Sequence, residues 1–320
     1  MKKKFIRDLE DGMRIEEMFA VKEKSREITK NKKVYIVLKL SDKTGVISGK
    51  IWDDAEKKYN TFDKGDIVLV EGYTRVYKGI LELTINKIKK CEEGEYELED
   101  FIPTSGRNIE EMHRELEALI KSVHNEYLNA LLTAIFGDKE FSKKFDIAPG
   151  SAGIHHTYVG GLLEHTLNVA KICDTVASTY PEIDRDLLIT GALLHDIGKI
   201  EEYEVSASIS STNAGKLIGH IVIGTYIIKK NIEKIEEFPP ELSMSLIHLI
   251  VSHHGEYEFG SPKLPQTAEA AALAYADLLD SKTESFLEVK KNTKEEWSKY
   301  VGYLERKIYV GKKDTDKGNS

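Results

Sequence analysis

The chain has 320 residues, 41% of them hydrophobic, and a formal net charge of −8, enough for two domains whose cores need no covalent staples. Its two cysteines, Cys91 and Cys173, form no CxxC and no disulfide framework, so they read as buried thiols of a cytoplasmic protein. Lys2, Lys3 and Lys4 precede no apolar run, which argues against a signal peptide, and no window has the apolar length of a membrane span.

Charge is unevenly spread along the chain. Residues 1–90 hold 22 Lys/Arg against 15 Asp/Glu, residues 91–107 one against six, and the remainder 23 against 33. The ends therefore read as different modules, a basic one suited to a polyanion and an acidic one suited to cations.

Residues 1–90 read as strands. A first is expected near Arg14–Thr29. Val34–Leu40 is a second, ending in the turn signal Ser41-Asp42-Lys43-Thr44-Gly45, and Val46–Trp52 a third. Asp54–Tyr59 suits a short helix. Ile67–Val76 is a fourth strand after Lys64-Gly65-Asp66, and Leu81, Leu83 and Ile85 alternate with polar neighbours in a fifth. Five strands with a helix between the third and fourth is the order of an all-β OB-fold barrel. Such barrels bind single strands by stacking bases on aromatics while basic side chains follow the phosphates. Tyr35, Trp52, Tyr73 and Tyr77 are the candidate platforms, with Lys22, Lys24, Arg26, Lys33 and Arg75 as candidate phosphate contacts. The plainer role for any of these rings is core packing.

Residues 91–107 are acidic, carry Gly and Pro, and read as a linker. From Asn108, an expected cap with Glu111 three residues on, the periodicity turns helical over 108–310. Further helices are expected at about 126–136, 162–179, 184–196, 218–232, 240–253 and 267–281. Residues 311–320 are polar and read as a frayed tail.

Eight of the ten histidines fall between residues 155 and 254, and histidine is the commonest metal ligand. His195-Asp196 ends an apolar helical run, with Gly198 expected to break or turn it. His165 and His220 lie near helix starts, His253-His254 close a helix before Gly255, and Asp277 sits inside an Ala/Leu-rich helix. A buried imidazole beside a buried carboxylate is costly unless a positive group pairs with them. A divalent ion meets that need, and the lack of cysteine at these positions favours Mn, Fe, Mg or Co over a thiolate zinc site. His248 reads as a core histidine, and His113 and His124 as helix-surface residues. Lys199 is weighed between a phosphate oxygen and pairing with Glu201 or Glu202. His155 and His156, in a Gly-bounded segment, are candidates to protonate a leaving oxygen or to touch a phosphate.

The series His165, His195-Asp196, His220, His253 or His254, and Asp277 resembles the HD metal-dependent phosphohydrolase superfamily, helical bundles whose His and Asp side chains hold metal. With the barrel in front, and with Gly160-Gly161-Leu162-Leu163-Glu164-His165-Thr166 and Ser252-His253-His254-Gly255, the chain is similar to the YhaM-type exoribonucleases. That resemblance implies manganese-dependent, stepwise 3′→5′ release of mononucleotides from single-stranded RNA, or from single-stranded DNA. It also implies that His165, His195, Asp196 and Asp277 hold one ion, and that Asp196 bridges to a second held by His220 and His253, with His254 either completing that site or facing the substrate. Two readings stand beside it: an HD-type nucleotidase or cyclic-dinucleotide phosphodiesterase with the barrel as sensor, and a non-catalytic RNA-binding protein with an inactive HD site. No membrane partner is expected, and the oligomeric state stays open.

Overall fold

The computed structural model describes residues 2–29, 31–92, 94–102, 105–151, 158–205 and 209–311. They form two compact units, one of Met1–Thr104 with Val205–Ser210, the other of Ser105–Glu204 and the chain from Ser211 on. Among the described residues no helix is long and apolar enough to cross a membrane. The tail expected at 311–320 lies outside the description from residue 312.

The first unit is a closed five-stranded barrel. Its strands are β1 (Arg14–Ile28), β2 (Val34–Asp42), β3 (Gly45–Ile51), β4 (Ile67–Tyr77) and β5 (Ile80–Lys90), with helix α1 (Ala55–Tyr59) between β3 and β4. The order around the barrel is β1-β2-β3-β5-β4, closed by β1 against β4, with β3 and β5 parallel and the other pairs antiparallel. Alternation explains the core: Phe19, Ile36, Leu38, Ile51, Val70 and Leu83 point inward and are fully or almost fully buried. Glu17 is buried too, and its carboxylate accepts the Lys3 and Lys4 backbone N–H groups.

The stretch 91–107 is not a free connector throughout. Phe101 and Ile102 are buried, the Asp100 carboxylate accepts the Lys2 backbone N–H, and its carbonyl accepts that of Lys43. The acidic composition hid this apolar pair, which ties the end of the first unit down.

The second unit is helical. It comprises α2 (Ile109–Lys121), α3 (Glu126–Phe136), α4 (Lys139–Ile147), α5 (Gly161–Thr179), α6 (Arg185–Leu194), α7 (Lys199–Glu202), α8 (Asn213–Leu217), α9 (His220–Ile232), α10 (Pro240–Ser252) and α11 (Ala268–Asn292). Capping fixes the starts: Asn108, Asn125, Asp138, Asp184 and Thr267 each accept backbone N–H groups of the first turn. α5 packs on α6 and α11, and α10 on α9, α6 and α11, around Leu163, Leu167, Leu188, Leu193, Leu249 and Leu273.

Three features depart from the sequence reading. A short ribbon of β6 (Tyr203–Val205) and β7 (Ile209–Ser211) interrupts the helices. α4 was hidden in a Lys-rich stretch whose Phe141 and Phe145 cluster with Phe136. α11 runs to Asn292 instead of ending near 281, because its second half is mostly polar and lacks the apolar stripe that marks a packed helix.

The register of β4 on β5 shifts at Gly72, where an added Cβ would stand 2.1 Å from the Thr84 carbonyl oxygen. Gly72→Ala is therefore expected to cost about 1–3 kcal/mol, read as a lower urea midpoint for the Trp52 fluorescence transition in a Trp297→Phe background. An unchanged midpoint would show that the bulge tolerates a side chain.

Candidate metal centre and strand-binding face

Five helices bring the His and Asp side chains together. His165 sits on α5 among Leu162, Leu163, Thr166 and Leu167, all buried, so its ring points into the bundle. α6 is buried from Leu187 to Leu194 and delivers His195 and Asp196 at its end. His220 is the first residue of α9, His253 and His254 follow the end of α10, and Asp277 lies in α11.

The side chains form two groups that share Asp196. In one, His165 Nε2 is 3.2 Å from His195 Nε2 and 3.2 Å from Asp277 Oδ1. Asp196 Oδ2 is 3.5 Å from the former ring and 3.4 Å from the latter. In the other, His220, His253 and His254 converge, and Asp196 Oδ1 stands 3.5 Å from His220 Nε2 and 3.6 Å from His253 Nε2. His165, His195, Asp196 and His253 are buried, whereas His220 and Asp277 keep 14% and 15% of their side chains exposed and face the open side.

The outer nitrogens explain why the inner ones face each other. His195 Nδ1 donates to the Ala192 carbonyl, His253 Nδ1 to that of Ile250 and His254 Nδ1 to that of Phe259, at 2.7–2.8 Å. A carbonyl can only accept, so these nitrogens carry a proton, and in a neutral ring Nε2 is left with the lone pair a metal needs. Carboxylates hold the outer nitrogens of the other two rings: Asp280 meets His165 Nδ1 at 2.7 Å and Glu202 meets His220 Nδ1 at 2.9 Å. Such outer contacts orient the rings that bind metal. Among the described residues, Asp196 Oδ1, His220 Nε2 and His253 Nε2 are buried and meet no hydrogen-bond partner in good geometry. Orphaned lone pairs and a carboxylate aimed at common points are a fit for divalent cations, and an N/O donor set suits hard or borderline ions.

Electrostatics follow the same pattern. Burial alone would raise the Asp196 carboxyl, yet Lys199 and His195 hold it well below the usual carboxylate range. Burial disfavours the His165 imidazolium, but Asp277 and Asp280 outweigh it and hold the group up at about 9. Burial pushes His253 and His254 down, toward the neutral form a ligand needs.

Several expectations change. Lys199 pairs with neither Glu201 nor Glu202: it is buried and its Nζ lies 2.5 Å from Asp196 Oδ2, because Glu202 turns to His220. Gly198 does not turn the chain through unusual backbone angles, since its φ is −64°. A Cβ there would stand 2.0 Å from the His220 carbonyl oxygen and 2.6 Å from Gly224 N, so what requires glycine is the close approach of main chains. His113 is no plain surface residue, for its Nε2 lies 2.6 Å from Asp146 Oδ1. His248 is half-buried and accepts the Gln266 N–H, and His124 is exposed. His155 and His156 lie outside the described residues. Asp280 and Glu202 were missed; Asp280 follows Asp277 by three residues, the spacing that puts two side chains on one helix face.

On the barrel, directly opposed residues place Lys50, Thr84 and Tyr73 in one row and Ser48, Glu82 and Arg75 in the next. Tyr35 and Trp52 stack on each other with centroids 4.6 Å apart, and both stay half-buried; Tyr73 and Tyr77 are 41% and 49% exposed. Lys50, not singled out in the sequence, pairs with Glu82 at 2.8 Å and lies 5.5 Å from the Tyr77 ring. Two expected phosphate contacts belong elsewhere. The Lys24 side chain is only 7% exposed, donating to the Tyr59 and Phe62 carbonyls and to Asp63, and Arg26 lies over the Tyr59 ring. Both are opposite the inward residues Leu38 and Ile36 and face α1, not the aromatic row. Lys33 pairs with Asp53, and Lys22 is exposed.

Residues 162–282 match the HD domain family and residues 20–90 the OB-fold nucleic acid binding domain family. The chain is 33% identical over 274 residues to the 3′-5′ exoribonuclease YhaM of Bacillus velezensis, covering 85% of this chain and 86% of that protein. The protein of the same name from Bacillus subtilis gives the same identity and coverage. That of Listeria monocytogenes is 31% identical over 310 residues, 94% of this chain and 96% of the other.

Asp280→Asn is expected to weaken divalent-ion affinity about 10–100-fold, measured by competition with a chromogenic chelator. Unchanged affinity would mean that Asp280 does not orient His165.

Proposed function

The chain belongs to the YhaM family of 3′-5′ exoribonucleases, and from that premise we propose that it shortens single-stranded RNA from the 3′ end and releases nucleoside 5′-monophosphates. Single-stranded DNA is a second substrate in this reading. The centre takes two divalent ions, Mn2+ first among them. The observation that carries the reading is Asp196, whose two oxygens face separate groups of ring nitrogens. Two reduced cysteines, both free and buried, suit a cytoplasmic enzyme.

The chemistry follows from the product. Leaving a 5′-monophosphate means that water attacks phosphorus and the bond to the preceding 3′ oxygen breaks, in line with the attack. When bound, the ions supply activation of the water and neutralisation of the phosphoryl oxygens. The chain's own residues do the rest. Asp196 stays ionised through Lys199 and His195 and spans both groups. The Nδ1 contacts fix five ring planes before substrate arrives, a preorganised site that needs no rearrangement at the moment of reaction. The buried rings close one side to water, while His220, His254 and Asp277 line the side from which a phosphodiester enters. The aromatic row of the barrel supports strand capture, Tyr73 and Tyr77 offering faces for bases and Lys50 and Arg75 charge for phosphates.

A 5′-labelled RNA oligomer with Mn2+ is expected to yield a ladder of shortened products, abolished by chelator. Asp196→Ala should abolish the ladder and leave RNA affinity within a few-fold of wild type. An intact oligomer, with hydrolysis of mononucleotides or cyclic dinucleotides instead, would favour a small-molecule hydrolase. Binding without any turnover would favour an RNA-binding protein.

A further inference from the structure

A cavity of about 280 Å3 opens beside the centre, and His254 is part of its wall. We propose that it receives the nucleobase of the 3′-terminal nucleotide, gripping the ring by its faces while the phosphate lies at the paired His/Asp groups. The proposal rests on the reading of the site as a phosphodiester hydrolase acting on RNA ends.

The position argues for it first. His254 belongs to the group of His220 and His253, and its Nδ1 donates to the Phe259 carbonyl on the cavity wall. The far wall is α11, where Ala271, Ala274, Tyr275 and Leu278 follow one another at helical spacing and form a single stripe. Asp277 sits on the same turn as Tyr275 and Leu278. The same segment of helix thus presents a carboxylate to the centre and an apolar stripe to the cavity, which sets the two within one nucleoside of each other.

The chemistry of the wall argues for it second. Apart from His254 and Glu256, the lining side chains present carbon and ring surface. Phe259, Leu264, Tyr275 and Leu278 remain 55%, 36%, 71% and 38% exposed, a cluster of large apolar groups left uncovered at the mouth of a polar site. Contiguous uncovered apolar groups of this kind mark binding surfaces. The volume falls just under the range of roughly 300–1000 Å3 typical of small-ligand pockets, a size suited to one base rather than to a folded segment. A cavity twice as large lies against Glu288–Tyr303 and includes none of the metal-facing residues, so size alone does not choose the subsite. Every base has a π-face, so stacking would accept all four and leave digestion tolerant of sequence.

The test separates base from phosphate. The full-length protein loaded with Mn2+ is titrated calorimetrically with adenosine 5′-monophosphate and with ribose 5-phosphate, which differ only by the base. Wild type is expected to bind the nucleotide at least tenfold tighter. Ala271→Phe, which fills the cavity, and Tyr275→Ala, which removes an exposed ring without touching the core, should each shrink that gap below threefold and leave ribose 5-phosphate affinity unchanged. Equal affinities in wild type, or a full gap in both variants, would overturn the proposal. The titration needs no turnover, so it remains readable if oligomers stay intact. In that outcome a tenfold gap would keep the base subsite but assign it to a mononucleotide substrate, overturning its link to RNA ends.

Discussion

The centre is built on a conflict between lone pairs. Five ring nitrogens and a carboxylate point inward because their outer sides are already committed, to three carbonyls and two carboxylates. The ammonium of Lys199 relieves part of this crowding. Much of the helical unit serves to hold that arrangement. α6 is buried along its length, and α5, α10 and α11 close around it, so the groups meet without freedom to turn away. Such a site devotes its fold to binding rather than to stability.

Lys199 shows how the arrangement stays anionic where it matters. A buried ion pair contributes little net stability, but removing one member leaves the other unpaired and is strongly destabilising. Here the lysine helps keep Asp196 charged through Oδ2 and leaves Oδ1 facing His220 and His253. The barrel handles its cations differently. Lys24 and Arg26 are committed to α1, and Lys50 to Glu82. Part of the positive charge counted in the sequence is therefore paired within the barrel.

What the sequence disclosed and what it hid divide along physical lines. Strand alternation and helical periodicity located the five strands and most of the helices, because one face of each is buried. His165, His195, Asp196, His220, His253, His254 and Asp277 were visible because imidazoles and acids in apolar helices are conspicuous. Glu202, at a helix end, and Asp280, on a polar stretch of α11, escaped because each resembles a solvated acid until its partner ring is placed. The three carbonyls that orient rings have no side-chain signature at all. Lys24 misled because a lysine in a strand is read as exposed, whereas its ammonium lies over the Tyr59 and Phe62 rings and meets carbonyls from a different segment.

The contact at Gly198 bears on how such a centre can diversify. Main chain meets main chain there, 2.0 Å from where a methyl would stand, so the gap between the two halves is fixed by peptide groups rather than by rotamers. Exchanging a ring for a carboxylate at His220 or His254 would alter the donor set of the group those rings share with His253 while the main-chain contact stays constant. Donor set and main-chain spacing are thus separable traits of this scaffold, open to change one at a time.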